Sequence, residues 1–249
     1  HPMPGEVMEL NATDFKAVYD FESQYDDRVV LVDVRLPAAF DEGHIDGALN
    51  IPLAMWTNET LLNETLSMLP EHATLMFYCT MGNASREAAH AAVDSGLLPN
   101  TTAVYNLEGG LDSWIEAGFP TVPTLVAGEL NEVSAEQFYN LRMVGVEDDA
   151  VYIIDVRPLS AYIAGHIEGA VNIPVAEFTD ETMLNATVSA LPSDKILMFY
   201  CTMGAASRNA ANLSLGSGLL DIATLVVNLE DGVNSWIDAG YPLVTPPPA

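Results

Sequence analysis

One segment of the sequence occurs twice, and it restricts the fold more than any other feature. Residues 75–86 read LMFYCTMGNASR, and residues 197–208 repeat these letters with one asparagine changed to alanine. Each copy holds one of the two cysteines of the chain, Cys79 and Cys201. An internal repeat indicates two units of one fold in tandem, and 249 residues suffice for two ordinary domains.

The surrounding sequence repeats at the same offset of 122 residues and sets the predicted boundaries. The stretch 119–128 contains two prolines and few charges, a composition typical of a linker. We therefore predict a first domain at residues 1–123, a linker at 124–128 and a second domain at 129–249.

Each repeated segment predicts a strand, a loop and a helix, in that order. Residues 75–78 form an apolar run of the length of a buried strand, and residues 84–93 are rich in alanine without proline. Strands and helices alternate elsewhere in the first half as well: a helix from Asn11, a strand at 28–35, a helix at 59–69, a strand at 103–105, and a turn with a helix at 107–118. This alternation predicts an α/β fold with a mainly parallel sheet flanked by helices.

The position of each cysteine suggests a reactive thiol. A loop that precedes a helix presents free backbone N–H groups and the positive end of the helix dipole, which favour an anion. A cysteine held there ionises more easily than a free thiol and becomes a nucleophile. The alternative is a buried cysteine that packs like alanine. Because cysteine, glycine and loop length occur in both copies, we favour the reactive thiol.

The charge balance excludes some partners. The chain has 35 acidic and eight basic residues, a formal net charge of −27. Such a surface repels nucleic acid and anionic membranes, and no apolar stretch is long enough for a membrane span. Two settings remain open: the cytoplasm of a salt-adapted organism, or export with the targeting segment removed. In the second setting the Asn-x-Ser/Thr triplets would be glycan acceptors.

Three motifs in order, each present once per half, resemble the rhodanese (sulfurtransferase) family. In the first half they are Asp33-Val-Arg35 with Gly43-His-Ile-x-Gly-Ala-x-Asn-Ile-Pro52, Tyr78-Cys79-x-x-Gly82, and Leu107-Glu-Gly-Gly-Leu-x-x-Trp114-x-x-Ala-Gly118. The resemblance implies a parallel sheet with helices on both sides and a catalytic cysteine surrounded by backbone amides. It also implies that the thiolate takes a sulfane sulfur from a donor, becomes a persulfide, and passes the sulfur to cyanide or a thiol.

Carried onto this sequence, the resemblance implies catalytic roles for Cys79 and Cys201 without a cofactor or a metal. Asp33, Arg35, Asp155 and Arg157 are expected to support the strand end and the neighbouring loop. The expected substrate-binding and anion-binding loops comprise Thr80, Met81, Gly82, Asn83, Ala84, Ser85, Arg86, Thr202, Met203, Gly204, Ala205, Ala206, Ser207 and Arg208.

The loops depart from the pattern of family members that favour thiosulfate. Those members carry basic residues directly after the cysteine and at the end of the loop, where this chain has Thr80 and Ala84 in the first half. A doubly charged donor then loses charge-assisted hydrogen bonds. Arg86 and its counterpart Arg208 are candidates to compensate, but we favour an ordinary surface pair, such as Arg86 with Glu87. The sequence leaves the donor unassigned.

The remaining conspicuous residues favour structural roles. We expect His44 and His166 to be structural histidines and Trp114 and Trp236 to lie in the core. Glu108 and Glu230 follow a strand that should end near the cysteine loop, and they are candidates for the rim of the pocket.

Two other function classes remain beside the sulfurtransferase. A phosphatase or arsenate reductase on a related fold would need an arginine six residues after the cysteine, where Ser85 and Ser207 stand. A non-catalytic or protein-partnered sulfur-relay module fits the missing basic residues better. The expected partners are therefore small sulfur-containing anions or thiols, with a sulfur-relay protein as a further candidate.

Overall fold

The computed structural model describes residues 5–25, 29–70, 73–99, 102–147 and 149–245. The chain divides into two compact units, His1–Thr124 and Leu125–Ala249. Both are α/β domains with a parallel sheet, so the predicted fold class is confirmed.

The first domain alternates strands and helices. Its strands are β1 (Val7–Leu10), β2 (Val29–Asp33), β3 (Leu49–Asn50), β4 (Thr74–Tyr78) and β5 (Val104–Leu107). Its helices are α1 (Ala12–Tyr25), α2 (Pro37–Glu42), α3 (Leu53–Thr57), α4 (Glu59–Met68), α5 (Asn83–Asp94) and α6 (Gly110–Glu116).

The five strands form one parallel sheet in the order β1-β5-β4-β2-β3. The carboxyl ends of all strands therefore lie at one edge of the sheet. β4, which leads into the cysteine loop, lies in the middle of this order.

The core of the first domain lies on both faces of this sheet. Successive strand residues point to opposite faces, so Leu75 and Phe77 pack with one cluster while Met76 and Tyr78 pack with the other. The first cluster contains residues of α3, α4 and α5, and the second contains residues of α1 and α6. Strands covered on both faces read as continuous apolar runs, which is why β2 and β4 could be predicted.

The second domain has the same order of elements. Its strands are β6 (Leu130–Val133), β7 (Val151–Asp155), β8 (Val171–Asn172), β9 (Ile196–Tyr200) and β10 (Val226–Leu229). Its helices are α7 (Ala135–Glu147), α8 (Leu159–Ala164), α9 (Val175–Thr179), α10 (Leu184–Ser189), α11 (Ala205–Gly216) and α12 (Gly232–Asp238). The sheet order is β6-β10-β9-β7-β8 with parallel pairing throughout.

The stretch that resembled a linker belongs in part to the first domain. The ring of Phe119 lies 4.9 Å from that of Trp114, and Val122 is buried. Val122 also exchanges two backbone hydrogen bonds with His44, at 2.8 and 2.9 Å. Residues 119–122 are therefore not linker. Pro120 and Pro123 leave this pairing intact because both backbone hydrogen bonds with His44 are made by Val122, which keeps its N–H.

Other element boundaries differ slightly from the prediction. The strand predicted at 28–35 is observed as β2, which ends at Asp33, and Arg28 lies outside the described residues. The strand predicted at 103–105 runs to Leu107. No helix in the described parts of the chain is long and apolar enough to cross a membrane.

Candidate active site

The two cysteines lie at equivalent places, each at the carboxyl end of a middle strand. Cys79 follows β4 and Cys201 follows β9, and each is only 5% exposed. Three residues later a glycine in the left-handed region, Gly82 (φ 86°) or Gly204 (φ 82°), directly precedes α5 or α11. A Cβ at Gly82 would lie 2.8 Å from the carbonyl oxygen of Leu107. Glycine thus allows both the turn and the close approach of the loop to β5.

The sulfur of Cys79 accepts hydrogen bonds from the start of α5. The backbone nitrogen of Gly82 lies 3.1 Å from Sγ, and the hydroxyl oxygen of Ser85 lies 3.4 Å from it. The first N–H groups of a helix have no partner within the helix, and the dipole makes this end positive. These donors would stabilise a thiolate or a sulfur anion attached to it.

The same surroundings change the acidity of Cys201. Burial raises its pKa, but hydrogen bonds from the hydroxyl and amide of Ser207 and from the amides of Met203 and Ala206 outweigh burial and lower the pKa below its ordinary value. The Ser207 hydroxyl donates to the carbonyl of Gly204 at 3.0 Å. The single hydroxyl proton of Ser207 cannot bond well to both the Gly204 carbonyl and the Cys201 sulfur. We therefore attribute the lowered pKa of Cys201 mainly to the backbone amides.

We expect Cys201 to react with iodoacetamide at lower pH than an unperturbed thiol. The thiolate is the reactive form, so a lowered pKa moves the midpoint of the rate profile below about 8.5, the ordinary thiol value. The measurement is the alkylation rate against pH for the Cys79→Ser protein. The urea-unfolded protein serves as control and should show the ordinary midpoint. If alkylation of the native protein has its pH midpoint at or above that of the unfolded protein, the hydrogen bonds do not lower the pKa of Cys201.

The start of each loop is oriented by the helix that follows the next strand. The carbonyl oxygens of Cys79 and Thr80 accept hydrogen bonds from the amides of Leu111 and Asp112, at 2.7 and 3.0 Å. The C=O and N–H of one planar peptide point in opposite directions. Carbonyls directed at α6 thus turn the N–H groups of Thr80 and Met81 away from α6. The second domain repeats this with Cys201 and Thr202 bonded to Val233 and Asn234, at 2.7 and 3.2 Å.

A polar network joins the loop to the edge strand β1. The side-chain amide of Asn106 donates to Glu9 at 2.8 Å and to the carbonyl of Gly82 at 3.2 Å. Glu9 in turn accepts two hydrogen bonds from the guanidinium of Arg86, at 2.8 and 3.2 Å. Arg86 is thus paired with Glu9 and not with Glu87. The second domain has the same network, made by Glu132, Arg208, Asn228 and Gly204.

A buried ion pair connects the end of β2 with the residue before the cysteine. Arg35 bonds to both carboxylate oxygens of Asp33 and donates to the carbonyl of Gly43 at 2.7 Å. Its guanidinium lies 5.9 Å from the centre of the Tyr78 ring, and the Tyr78 hydroxyl accepts the N–H of Ile45 at 3.1 Å. Burial and the charge of Asp33 raise the pKa of Tyr78 above its ordinary value. The equivalent residues are Asp155, Arg157, Gly165, Tyr200 and Ile167.

The histidines of the Gly-His-Ile motif are placed for a structural role. Nδ1 of His44 lies 2.9 Å from the carbonyl oxygen of Phe40, and the two rings are stacked with centroids 3.8 Å apart. The backbone of His44 pairs with Val122, as described above. In the second domain the corresponding residues are His166, Tyr162 and Val244.

The predicted loop residues divide into a buried and an exposed set. Gly82, Ser85 and the sulfur lie inside, together with Gly204 and Ser207 of the second loop, while the other side chains lie at the surface. Met81 and Met203 are 64% and 69% exposed, unusual values for large apolar side chains. The exposed residues are Thr80, Met81, Asn83, Thr202, Met203 and Ala205, and the partly exposed ones are Ala84, Arg86, Ala206 and Arg208.

The glutamates predicted at the rim are exposed and act on the arginines. Glu9 is the main cause of the raised pKa of Arg86 and Glu132 of that of Arg208, while the charges of Glu108 and Glu230 add smaller contributions. The predicted core residues Trp114 and Trp236 are buried. Among the described residues no group of three or more His, Cys, Asp or Glu side chains could hold a metal ion.

Sequence reasoning missed four residues of the site: Glu9, Glu132, Asn106 and Asn228. The asparagines directly precede the third motif, a signal that could have been used. The glutamates were harder to find because they are 123 positions apart, whereas the cysteines are 122 apart. Their equivalence follows from the strand register, since Glu9 pairs with Asn106 and Glu132 pairs with Asn228.

Fold and site together define a tandem α/β protein with a cysteine at a helix N-terminus in each domain. A sequence model of the rhodanese-like domain matches residues 18–117 and again residues 134–239. These matches cover most of the chain, and the chain belongs to the rhodanese-like domain family.

Several relatives match one domain at a time. An uncharacterized protein of Synechocystis is 37% identical over 98 residues, which are 39% of this chain and 49% of that protein. A sulfurtransferase of Allochromatium vinosum is 32% identical over 94 residues, 38% of this chain and 78% of that protein. The probable adenylyltransferase/sulfurtransferase MoeZ of Mycobacterium tuberculosis is 38% identical over 89 residues, 35% of this chain and 20% of that protein. The chain thus spans about half the length of the Synechocystis protein and a fifth of MoeZ.

Among solved structures, a thiosulfate sulfurtransferase of Pseudomonas aeruginosa aligns with 96% of this chain and 43% of its own. The two are 21% identical, with a TM-score of 0.37.

Proposed function

We propose that the protein is a sulfurtransferase in which Cys79 and Cys201 carry the sulfur as persulfides. The observation that carries this proposal is the placement of each sulfur at a helix N-terminus, where Cys79 accepts a hydrogen bond from the amide of Gly82 and Cys201 accepts hydrogen bonds from the amides of Met203, Ala206 and Ser207. The other amides of residues 80–85 and 202–207 would complete the anion-binding loops. A persulfide is an anion, and free amides at the start of a helix suit an anion. The names of the relatives in A. vinosum and M. tuberculosis support the same class of reaction.

The proposed reaction has two steps, uptake of the sulfur by the cysteine and its release to the acceptor. The thiolate attacks the outer sulfur of thiosulfate, a new S–S bond forms in the protein, and sulfite leaves with the electron pair of the broken bond. The persulfide then gives its outer sulfur to cyanide, forming thiocyanate, or to a thiolate, forming a new persulfide. In both cases the cysteine thiolate is regenerated, so no cofactor is needed. A donor such as 3-mercaptopyruvate reacts in the same way with pyruvate as the leaving group.

A protein-partnered sulfur relay is the second candidate. The exposed Met81 and Met203 beside the two cysteines favour it, since large exposed apolar side chains are common at sites of protein contact. In that case the donor or acceptor is a cysteine of another protein, and the chemistry at the sulfur is unchanged. In neither case do we expect nucleic acid or a membrane to be a partner, because of the net charge of −27.

Intact mass spectrometry tests the proposal directly. The protein is exposed briefly to thiosulfate or to 3-mercaptopyruvate, and we expect a gain of about 32 Da per persulfide that cyanide removes. Cys79→Ser and Cys201→Ser should each lose one of the two additions, and the double variant should lose both. The double variant also controls for sulfur that binds elsewhere.

The opposite result is equally informative. If neither donor adds sulfur to either cysteine of the folded protein, the small-molecule reaction is excluded. A purified protein persulfide, used as donor in the same assay, then separates the relay from a non-catalytic role.

A further inference from the structure

Every lysine and arginine in the described part of the chain lies in an ion pair. The chain has eight basic residues, and the remaining one, Arg28, is outside the described residues. The pairs are Lys16–Asp20, Arg35–Asp33, Arg86–Glu9, Arg142–Glu168, Arg157–Asp155, Lys195–Asp149 and Arg208–Glu132. The cations nearest to the cysteine loops are thus already neutralised by the protein itself.

Arg86 is the cation that a donor in the first loop could use. It lies in the first turn of α5, and its pKa is raised mainly by the hydrogen bond and the charge of Glu9. Its side chain is 42% exposed, so a small anion could reach it. Its Nε and Nη2 are both directed at the carboxylate of Glu9. An anionic donor could bind Arg86 only by displacing the carboxylate of Glu9 from both of these hydrogen bonds.

Glu9 is held in its place beside Arg86 by a second hydrogen-bond partner. Its side chain is 32% exposed, and its carboxylate also accepts a hydrogen bond from Asn106. Asn106 is fully buried and donates both to Glu9 and to Gly82, while its own carbonyl oxygen has no partner among the described residues. Turning this amide over would lose two hydrogen bonds, so its orientation is fixed. Arg86 and Asn106 also lower the pKa of Glu9 against the effect of its burial, which keeps the carboxylate ionised.

We propose that Glu9 and Glu132 determine donor specificity by withholding Arg86 and Arg208, so that each loop selects a donor with at most one negative charge. This inference rests on the proposed sulfur transfer. Thiosulfate carries two charges and would meet backbone amides and the Ser85 hydroxyl but no free cation, with the carboxylate of Glu9 paired to Arg86. A singly charged α-keto thiol such as 3-mercaptopyruvate needs less compensation. The glutamate–arginine pair occurs in both halves, although the two glutamates are 123 positions apart and the two cysteines are 122 positions apart.

The test replaces the carboxylate and keeps its shape. Glu9→Gln is made in the Cys201→Ser protein, so that only the first loop reacts, and kcat/KM is measured for thiosulfate and for 3-mercaptopyruvate. Glutamine can still accept the hydrogen bond of Asn106, whereas Arg86 is no longer neutralised. A charge-assisted hydrogen bond should raise kcat/KM for thiosulfate by about tenfold, and that for 3-mercaptopyruvate by less than about threefold.

Three controls separate specificity from a general change in charge or folding. Glu64→Gln removes the same charge at an exposed position on α4 and should leave the ratio of the two donors unchanged. Adding Arg86→Gln to Glu9→Gln should return the ratio to its original value. Arg86→Gln alone leaves the carboxylate of Glu9 without its ion-pair partner, so it adds a negative charge beside the loop and should lower the ratio. Glu132→Gln in the Cys79→Ser protein repeats the test in the second half.

The outcomes distinguish this inference from the proposed function. If persulfide forms but the ratio does not shift in either half, Glu9 and Glu132 do not set specificity, and the sulfur transfer stands. If the double variant with Glu9→Gln and Arg86→Gln has a ratio below that of the Cys201→Ser protein, Arg86 already binds the donor in the presence of Glu9, which would overturn the inference. If no variant forms a persulfide with any donor, the proposed function itself fails.

Discussion

Replacing Asp33 by asparagine is expected to destabilise the first domain by about 3 kcal/mol, the cost of leaving one charge of a buried ion pair without its partner. Asp33 is fully buried and the side chain of Arg35 is only 11% exposed. The neutral asparagine keeps the volume but leaves the guanidinium uncompensated. For a domain of this size the change corresponds to a fall in Tm of roughly 10 °C. Differential scanning calorimetry measures it.

An exposed ion pair of the same domain is the matched control. Asp20 pairs with Lys16, and their side chains are 55% and 34% exposed. Asp20→Asn should cost less than about 1 kcal/mol, since solvent screens such pairs. Equal effects of Asp33→Asn and Asp20→Asn would show that the buried pair has no special role. Asp155→Asn should repeat the large effect in the second domain.

Replacing Gly232 by alanine is expected to slow sulfur transfer at Cys201 by about a hundredfold. Gly232 has a φ of 65°, and a Cβ there would lie 2.5 Å from the Cys201 carbonyl oxygen and 2.6 Å from the Met203 nitrogen. These are backbone atoms of the cysteine loop and cannot rotate away. Relief of the clash must move the loop, and a shift of about 1 Å is enough to reduce a rate by about a hundredfold. The measurement is the rate of persulfide formation in the Cys79→Ser protein.

Gly240 provides the control for backbone strain alone. Its φ is 84°, but a Cβ there would meet nothing within 4 Å. Gly240→Ala should therefore cost about 1–2 kcal/mol of stability while the persulfide rate stays near that of the unchanged protein. If Gly232→Ala and Gly240→Ala have the same effect on the rate, contact with the loop is not the cause. Circular dichroism shows whether the domain remains folded in each variant.

The parts of the fold that the sequence predicted are those with continuous apolar runs or strong turn signals. β2 and β4 are buried on both faces, so nearly every residue in them is apolar, and Gly82 with the alanines after it marks the start of α5. The two copies of the loop made the cysteines conspicuous. These features are local, and short-range patterns are enough to find them.

The parts that were missed depend on contacts between distant residues. β1 is a four-residue edge strand with a charged side chain, and nothing nearby in the sequence identifies it. Glu9 and Asn106 meet only because β1 pairs with β5 across 97 positions. The sequence favoured a surface ion pair over anion binding for Arg86, but it did not identify Glu9 as the partner. Pairing across the sheet decides between these interpretations.

The position of β1 has a consequence for how one domain should be isolated for study. The family match covers residues 18–117 and 134–239, so the first strand of each sheet lies outside it. Val122, the backbone partner of His44, lies outside it as well. A fragment cut at the limits of the match would keep the cysteine loop but lose the carboxylate beside it and leave one edge of the domain open. A fragment that begins before β1 and ends after Val122 retains both.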